Sequence, residues 1–181
     1  AHHTLSESYL KFLNQFPDAL ILGVTATADR GDKKSLSRFY DSLAYEYKFR
    51  QAVQEGYLVR PVARCIPLQI DLSKVTVKVG DFEVNSLSEA LEPYLPQIAE
   101  SIKEYASDRK TIVFTPLIHI AQEMRDELLK VGLNAREVNG QSEDRKEVLD
   151  WFSKSGKGSV LVNSALLLEG FDEPSVDCVV M

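Results

Sequence analysis

The residues that point most directly to chemistry lie between positions 163 and 174. This stretch reads Asn-Ser-Ala-Leu-Leu-Leu-Glu-Gly-Phe-Asp-Glu-Pro and separates two apolar runs, residues 160–162 and 176–181. We expect the first run to be a strand, followed by a polar turn, an apolar helical turn and a Gly-x-Asp-x-Pro break. At the edge of a sheet, such a segment presents backbone amides and one carboxylate, that of Asp172, to a ligand.

Three further polar segments follow predicted strands and complete a set of four loops. They are residues 25–30, Thr115 with Pro116, and residues 139–142. Ligands of parallel α/β sheets bind at the carboxyl ends of the strands, so four polar loops at such ends favour a common binding edge. Each loop taken alone is also compatible with a plain turn, and Gly140 with a turn that needs a positive φ angle.

The order of the elements predicts an α/β fold with a doubly wound parallel sheet in the second half of the chain. From residue 111 onward, apolar runs typical of buried strands alternate with the periodicity of helices. The predicted strands are residues 111–114, 135–138, 160–162 and 176–180, and the predicted helices are residues 117–128 and a helix capped by Ser142. Strand, helix, strand, helix, strand, loop, strand is the pattern of a parallel α/β sheet.

The earlier part of the chain carries a different set of elements. They are a capping box at Thr4 to Glu7 with its helix, a buried strand at residues 19–24, an alternating strand at residues 43–49, and a short helix closed by Gly56. An extended connection follows, with a β-hairpin that turns at Gly80-Asp81, and Pro93 then interrupts the next helix. The predicted domains are residues 1–60, residues 61–85 and residues 86–181.

Composition restricts the classes of function. The chain has 181 residues, a net charge of −6 and an isoelectric point of about 5.2. Proteins that bind nucleic acid by bulk electrostatics are usually basic, so any nucleic-acid contact here must be local. Cys65 and Cys178 stand far apart in apolar surroundings, as reduced thiols of a cytoplasmic protein do. The apolar runs are too short to span a bilayer, so we expect no membrane partner.

Taken in order, the loops resemble the motifs of superfamily 2 helicases of the DEAD/DEAH-box group, of the restriction-subunit, XPB-like and phage type. Residues 25–30 resemble the Thr-Ala-Thr-Pro-x-Arg motif III, with Ala28 in place of the family's Pro. Residues 111–116 resemble motif IV, and residues 164–174 resemble motif V. The opening Ala-His-His resembles the end of Asp-Glu-Ala-His-His in motif II. The resemblance covers essentially the whole chain.

The resemblance implies a fold and a role for each motif residue. The fold is a RecA-like parallel sheet, the second helicase domain, incomplete at its C-terminus and preceded by a remnant of a first RecA-like domain and a β-hairpin connection. The implied coupling residues beside the nucleotide are His2, Thr25, Ala26 and Thr27. The implied nucleic-acid contacts are Thr115, Asn139, Gly140 and Ser164, and the implied nucleotide contacts are Gly170 and Asp172. The parent would use ATP and Mg²⁺ and act on DNA or RNA, and no residue of this chain is expected to ligate a metal.

Several parts of the family's phosphate site have no match in the sequence. Phosphoryl transfer needs a cradle of backbone amides, a Lys and a Mg²⁺ held by carboxylates. The pattern Gly-x4-Gly-Lys-Ser/Thr does not occur, because Gly31 to Ser35 lacks glycines at the required positions. The Asp-Glu of motif II and the Gln-x-x-Gly-Arg-x-x-Arg of motif VI are also unmatched. We therefore expect no ATP hydrolysis by this chain alone, and no bound cofactor.

Three classes of function stay open. The first is a fragment of an ATP-dependent helicase or translocase, and the second is a non-catalytic module that binds nucleic acid or itself. A Rossmann-type small-molecule enzyme is poorly supported, because Gly-x-Gly-x-x-Gly does not occur and Cys65, Cys178 and His119 form no nucleophile or metal spacing. A strand at residues 19–24 without neighbours would expose two edges. We therefore expect a homo-oligomer or a segment swap through residues 1–60, unless a separate polypeptide supplies the missing strands.

Overall fold

A computed structural model describes residues 6–26, 39–68, 71, 73, 75–78, 81–82, 84–167 and 170–181. The chain divides into two units, residues 1–63 and residues 64–181. In the first unit the described elements are two short helices, α1 (Glu7–Leu13) and α2 (Phe49–Gln54). No helix within these described ranges is long and apolar enough to cross a membrane.

The second unit is built around a four-stranded sheet. It begins with a hairpin of β1 (Val77–Lys78) and β2 (Asp81–Phe82), then α3 (Val84–Leu91), a 3₁₀ turn (Glu92–Tyr94) and α4 (Leu95–Ala106). The remaining elements are β3 (Thr111–Thr115), α5 (Ile118–Lys130), β4 (Asn134–Val138), α6 (Arg145–Lys154), β5 (Ser159–Ser164) and β6 (Cys178–Val180). The order across the sheet is β4-β5-β3-β6, and all four strands are parallel. The predicted α/β class with a parallel sheet is confirmed.

Apolar side chains cover both faces of this sheet. Val113, Val160 and Val162 pack against α4 and α5 on one face. Ile112 and Leu161, their neighbours in the chain, point to the other face, where Phe152 of α6 is fully buried. Successive strand residues alternate between faces, so a strand covered on both sides must be apolar at every position. The continuous apolar runs in the sequence predicted these strands for this reason.

Glycine and proline mark three helix boundaries where the sequence predicts them. Gly132 follows α5 with a φ of 89°, and Gly56 follows α2 with a φ of 81°. This left-handed conformation suits glycine because it has no Cβ. Pro93 lies in the 3₁₀ turn that separates α3 from α4. These three predictions are confirmed.

The two strands predicted in the first unit are absent from its described residues. Residues 19–24 form no strand, and Leu20 and Leu22 are 102 % and 82 % exposed. Residues 43–48 likewise form no strand, and α2 begins at Phe49. A strand exists only as part of a hydrogen-bonded ladder, and the described residues of this unit offer it no partner. Apolar sequence alone was therefore insufficient, and both predictions are wrong.

Local details also differ from the predictions. Ser142 does not cap α6, which begins at Arg145. The Ser142 hydroxyl instead accepts a hydrogen bond from the backbone N–H of Asn139 at 3.0 Å. The hairpin pairs Lys78 with Asp81, so Asp81 belongs to β2 and not to the turn; residues 79 and 80 lie outside the described residues. The helical turn expected after β5 is not formed by residues 165–167.

The capping box also differs in part. α1 begins at Glu7 and ends at Leu13, well before Pro17. Ser6 occupies the N-cap position, and its side chain makes no capping hydrogen bond. Thr4, the predicted cap, lies outside the described residues.

Candidate functional site

Three of the predicted polar loops meet at one edge of the sheet. Thr115, the last residue of β3, is the register partner of Ser164, the last residue of β5. On the other side of β5, Val138 pairs with Asn163, so Asn139 follows at the level of Ser164. Neighbouring strands lie about 4.8 Å apart, so these residues form a short row across three adjacent strands.

Within this row, the chain leaves β3 toward one face of the sheet and leaves the neighbouring β5 toward the other face. After β3, helix α5 packs on the face that carries Val113 and Val162. After β5, Leu166 and Leu167 pack on the opposite face with Phe152. A crevice opens between adjacent strands whose connections diverge in this way, and ligands of open α/β sheets bind there. Thr115 and Ser164 end the two strands between which this rule places a crevice.

The hydroxyl groups of Thr115 and Ser164 differ in their present partners. The Thr115 hydroxyl lies 3.2 Å from the Asn163 carbonyl oxygen and 3.3 Å from that of Leu117. Its single hydrogen must leave both carbonyls before it can be donated to a ligand. The Ser164 hydroxyl makes no hydrogen bond to any described residue. Ser164 therefore offers the less committed donor of the two.

Asn139 shapes the neighbouring loop through its side chain. Its amide nitrogen donates to Glu137 at 2.8 Å, and its amide oxygen accepts from the Gln141 backbone at 2.6 Å. Both polar groups are engaged within the chain, so the predicted direct contact of Asn139 with nucleic acid would have to be made by its backbone or after rearrangement. The geometry assigns the side chain to the turn itself.

Gly140, the next residue, faces open space. A Cβ added there would meet no atom within 4 Å, and its φ lies outside the left-handed region. The interpretation of Gly140 as a residue needed for a positive φ angle is therefore wrong. Its absent side chain leaves an open approach to the backbone of the loop.

Two helix N-termini open at this edge of an acidic chain. Helices α5 and α6 begin just after β3 and β4, and neither N-terminus has a side-chain cap. Unpaired amides and the helix dipole at such ends attract anions. Arg145 and Lys146 in the first turn of α6 are exposed. Glu143, Asp144 and Glu147 outnumber these two cations, so any attraction for an anion at this end comes from the backbone amides.

The segment between β5 and β6 carries the two predicted nucleotide contacts. Gly170 has a φ of 74°, a conformation that favours glycine, and Asp172 is exposed. Residues 168 and 169 lie outside the described residues. Glu173 turns inward and lies 3.5 Å from the Lys110 ammonium.

Lys110 is a buried cation whose role the sequence did not predict. Its side chain is 3 % exposed, and its ammonium donates to the Ser175 hydroxyl at 2.6 Å and to the Ser153 carbonyl at 3.2 Å. The ammonium also lies 4.7 Å from the centre of the Phe152 ring. Because Lys110 precedes β3, this cluster lies at the end of the sheet opposite Thr115. A lysine before an apolar run is a common sequence feature, so no local signal distinguishes it.

The charge state of Glu173 follows from these contacts. The hydrogen bond from the Ser175 hydroxyl is the largest cause that lowers the pKa of Glu173, and hydrogen bonds from Ser153 and the Ser175 backbone and the Lys110 charge act in the same direction. Partial burial opposes them and raises the pKa. The carboxylate form is therefore favoured.

The remaining predicted residues belong elsewhere. Thr25 and Ala26 lie in the first unit, and His2 and Thr27 lie outside the described residues. Within the part of the chain that the structure describes, no group of three His, Cys, Asp or Glu side chains could hold a metal ion.

This chain matches one protein family and is similar in sequence to several known proteins. The family described as "Helicase conserved C-terminal domain" matches residues 92–181. The Schizosaccharomyces pombe protein named "Putative mitochondrial ATP-dependent helicase irc3" is 30 % identical over 187 residues, which cover 98 % of this chain and 31 % of that protein. The 51.5 kDa protein of a Lactococcus phage is 27 % identical over 183 residues, with 99 % of this chain and 39 % of the phage protein covered.

A solved structure adds a partial likeness of shape. The crystal structure of T4 UvsW overlaps 53 % of this chain and 20 % of its own, with a TM-score of 0.45 and 16 % identity. The present chain spans about a third of the length of the curated relatives described above.

Proposed function

We propose that this chain, whose residues 92–181 belong to the helicase conserved C-terminal domain family, supplies a nucleic-acid-binding edge to a superfamily 2 helicase or translocase. Membership in this family confirms the resemblance drawn from the loops of the second unit. The observation that carries the proposal is the register pairing of Thr115 with Ser164 at the crevice between β3 and β5.

The chemistry of this edge suits the sugar-phosphate backbone of DNA or RNA. Hydroxyl groups, backbone amides and helix N-termini contact phosphate oxygens without reading the base sequence. The Ser164 hydroxyl, the open backbone at Gly140 and the uncapped starts of α5 and α6 supply all three kinds of donor. The edge bears few free cations, so we expect weak binding that falls as salt is added.

Nucleotide contact is the second part of the proposal. Asp172 is exposed and would accept a hydrogen bond from the ribose of ATP, with Mg²⁺ bound to the phosphates in the longer protein. The 181 residues contain no Gly-x4-Gly-Lys-Ser/Thr pattern, so we expect the isolated chain not to hydrolyse ATP. Phosphate release above the buffer blank, measured with purified chain and single-stranded DNA, would contradict this. The cytoplasmic location stays a prediction.

Binding of a fluorescent single-stranded oligonucleotide, followed by anisotropy with DNA and RNA at low salt, tests the edge. Ser164→Ala removes a donor that makes no hydrogen bond to the described residues, and it should weaken binding about tenfold, the scale of a hydrogen bond to a charged group. Ser159→Ala is the matched control, because Ser159 lies at the opposite end of the same strand and donates to the Gly156 carbonyl at 2.7 Å. Equal losses for both variants would show that binding does not use this edge.

A second candidate function is self-association through residues 1–60. Leu20, Leu22 and Leu43 are largely exposed, together with Tyr45 and Tyr57. Exposed apolar residues in this number favour burial against a second copy or another chain. Light scattering coupled to gel filtration should then give a mass above 20.3 kDa, and Leu20→Lys with Leu22→Lys should lower it. A monomer at all concentrations would exclude self-association.

A further inference from the structure

Asn163 is the most completely enclosed polar side chain near the candidate edge. It is fully buried at the end of β5. Its amide nitrogen donates to the Val113 carbonyl of β3 at 3.1 Å, and its amide oxygen accepts from the Leu167 backbone at 3.3 Å. One side chain therefore joins the neighbouring strand to the segment that leaves the sheet.

The segment enclosed by these hydrogen bonds contains an unusual backbone conformation. Ala165 has a φ of 57°, and among the described residues other than glycine it alone has a positive φ. A residue with a Cβ adopts this left-handed conformation at a cost, and it persists only where its surroundings impose it. Ala165 is exposed, so its own side chain is not what imposes the conformation.

Two contacts on either side of Ala165 can impose it. Before the turn, the Asn163 side chain is fixed in the sheet, and its amide oxygen accepts the hydrogen bond from the Leu167 backbone N–H. Leu167 is buried with Phe152 on the face opposite α5, which fixes the departing side. The chain must turn sharply between these anchors, and Ser164 and Ala165 form the turn.

We propose that Asn163 is a positioning residue that holds Ala165 in the left-handed conformation and so aims Ser164 into the crevice beside Thr115. The effect on nucleic-acid binding rests on the proposed function of the edge, whereas the role of Asn163 in the turn can be tested independently. Asparagine suits the position because it combines a donor and an acceptor without charge. Aspartate would lose the donor to Val113 and bury a charge, and alanine would leave both backbone groups without this partner.

A rescue experiment in the full chain separates positioning from simple stabilisation. Asn163→Ala should weaken oligonucleotide binding about tenfold and lower the midpoint of thermal unfolding. Adding Ala165→Asn should restore binding to within about threefold of the wild type, because Asn tolerates the left-handed conformation better than Ala. The unfolding midpoint should stay low, because the buried hydrogen bonds remain lost.

A second measurement approaches the same turn from the other side. Ala165→Val keeps Asn163 but disfavours a positive φ strongly, since Val is β-branched. Hydrogen exchange at the Leu167 amide should then accelerate about tenfold, while exchange at Leu128, a buried residue of α5, stays unchanged.

The outcomes distinguish the two proposals. Unchanged exchange at Leu167 in Ala165→Val, or a double variant that binds no better than Asn163→Ala, would overturn the role of Asn163. A wild-type chain that binds neither DNA nor RNA would overturn the proposed function, and the exchange measurement would still decide whether Asn163 holds the turn.

Discussion

Replacing Lys110 by Met should destabilise the second unit and expose the coupling between Lys110 and Glu173. Met retains most of the apolar stem beside Phe152 and removes the ammonium. Three groups thereby lose the ammonium as a partner: the Glu173 carboxylate, which lies 3.5 Å from it, the Ser175 hydroxyl and the Ser153 carbonyl. Breaking a buried ion pair by removing one partner costs about 3–5 kcal/mol. Glu173 is 12 % exposed and keeps its hydrogen bond from Ser175, so we expect a loss just below that range, about 2–3 kcal/mol.

Glu173→Gln should cost less, because the amide oxygen can still accept from Ser175. We expect about 1–2 kcal/mol, the scale of a weakened charge-assisted hydrogen bond. The double variant contains neither charge, so no buried charge is left unpaired. Its loss of stability should therefore be smaller than the sum of the two single losses by about 1–2 kcal/mol.

Urea unfolding at pH 7 measures all three variants against the wild type. Lys130→Met is the control, because the Lys130–Glu127 pair on α5 is formed by a lysine whose side chain is 68 % exposed, and such pairs contribute less than about 1 kcal/mol. The reasoning would be refuted by additive losses in the double variant, or by a Lys110→Met loss no larger than that of the control.

The dependence on pH has a definite sign. The pKa of Glu173 is lowered in the folded state, chiefly by the hydrogen bond from the Ser175 hydroxyl. A carboxyl with a lowered folded pKa stabilises the fold above its unfolded pKa, and the contribution disappears as pH falls through the folded value. The destabilisation by Glu173→Gln should therefore be full at neutral pH and shrink below about pH 5.

Two glycine substitutions give further tests. Gly140→Ala should leave stability within about 0.5 kcal/mol of the wild type, because the new Cβ meets open space, yet weaken oligonucleotide binding; unchanged anisotropy would show that no ligand approaches there. Gly170→Ala should cost about 1–2 kcal/mol in urea unfolding because φ is 74°, and a neutral result would mean that the loop adopts another conformation in solution.

The sheet was predictable because its strands carry their own burial signal. Val160, Leu161 and Val162 are apolar in succession, and only a strand covered on both faces requires this. Residues 19–24 carry the same signal without forming a strand, because a ladder needs a partner that one segment cannot reveal. Apolar succession therefore predicts a strand only where neighbours exist.

The position of the candidate edge could be predicted from the sequence, but the buried contacts of Asn163 and Lys110 could not. The carboxyl ends of parallel strands share an edge by topology, so Thr115 and Ser164 were placed correctly relative to the sheet. Asn163 and Lys110 form contacts with residues 50 and 65 positions away, and such pairings exist only once the sheet is assembled. Polar residues beside apolar runs usually face solvent, so their burial could not be read from the sequence.

The arrangement of β6 has a consequence for the order in which the fold forms and opens. β6 contributes three residues to the sheet, pairs with β3 across 67 positions of sequence, and has no strand on its outer side in the described chain. The β4-β5-β3 portion closes shorter loops and can form first. β6 then docks late and detaches first, and its detachment frees the segment that carries Gly170 and Asp172 while the centre of the sheet stays folded. Lys110 contacts Glu173 and Ser175 in the connection that leads to β6, so these contacts oppose that detachment.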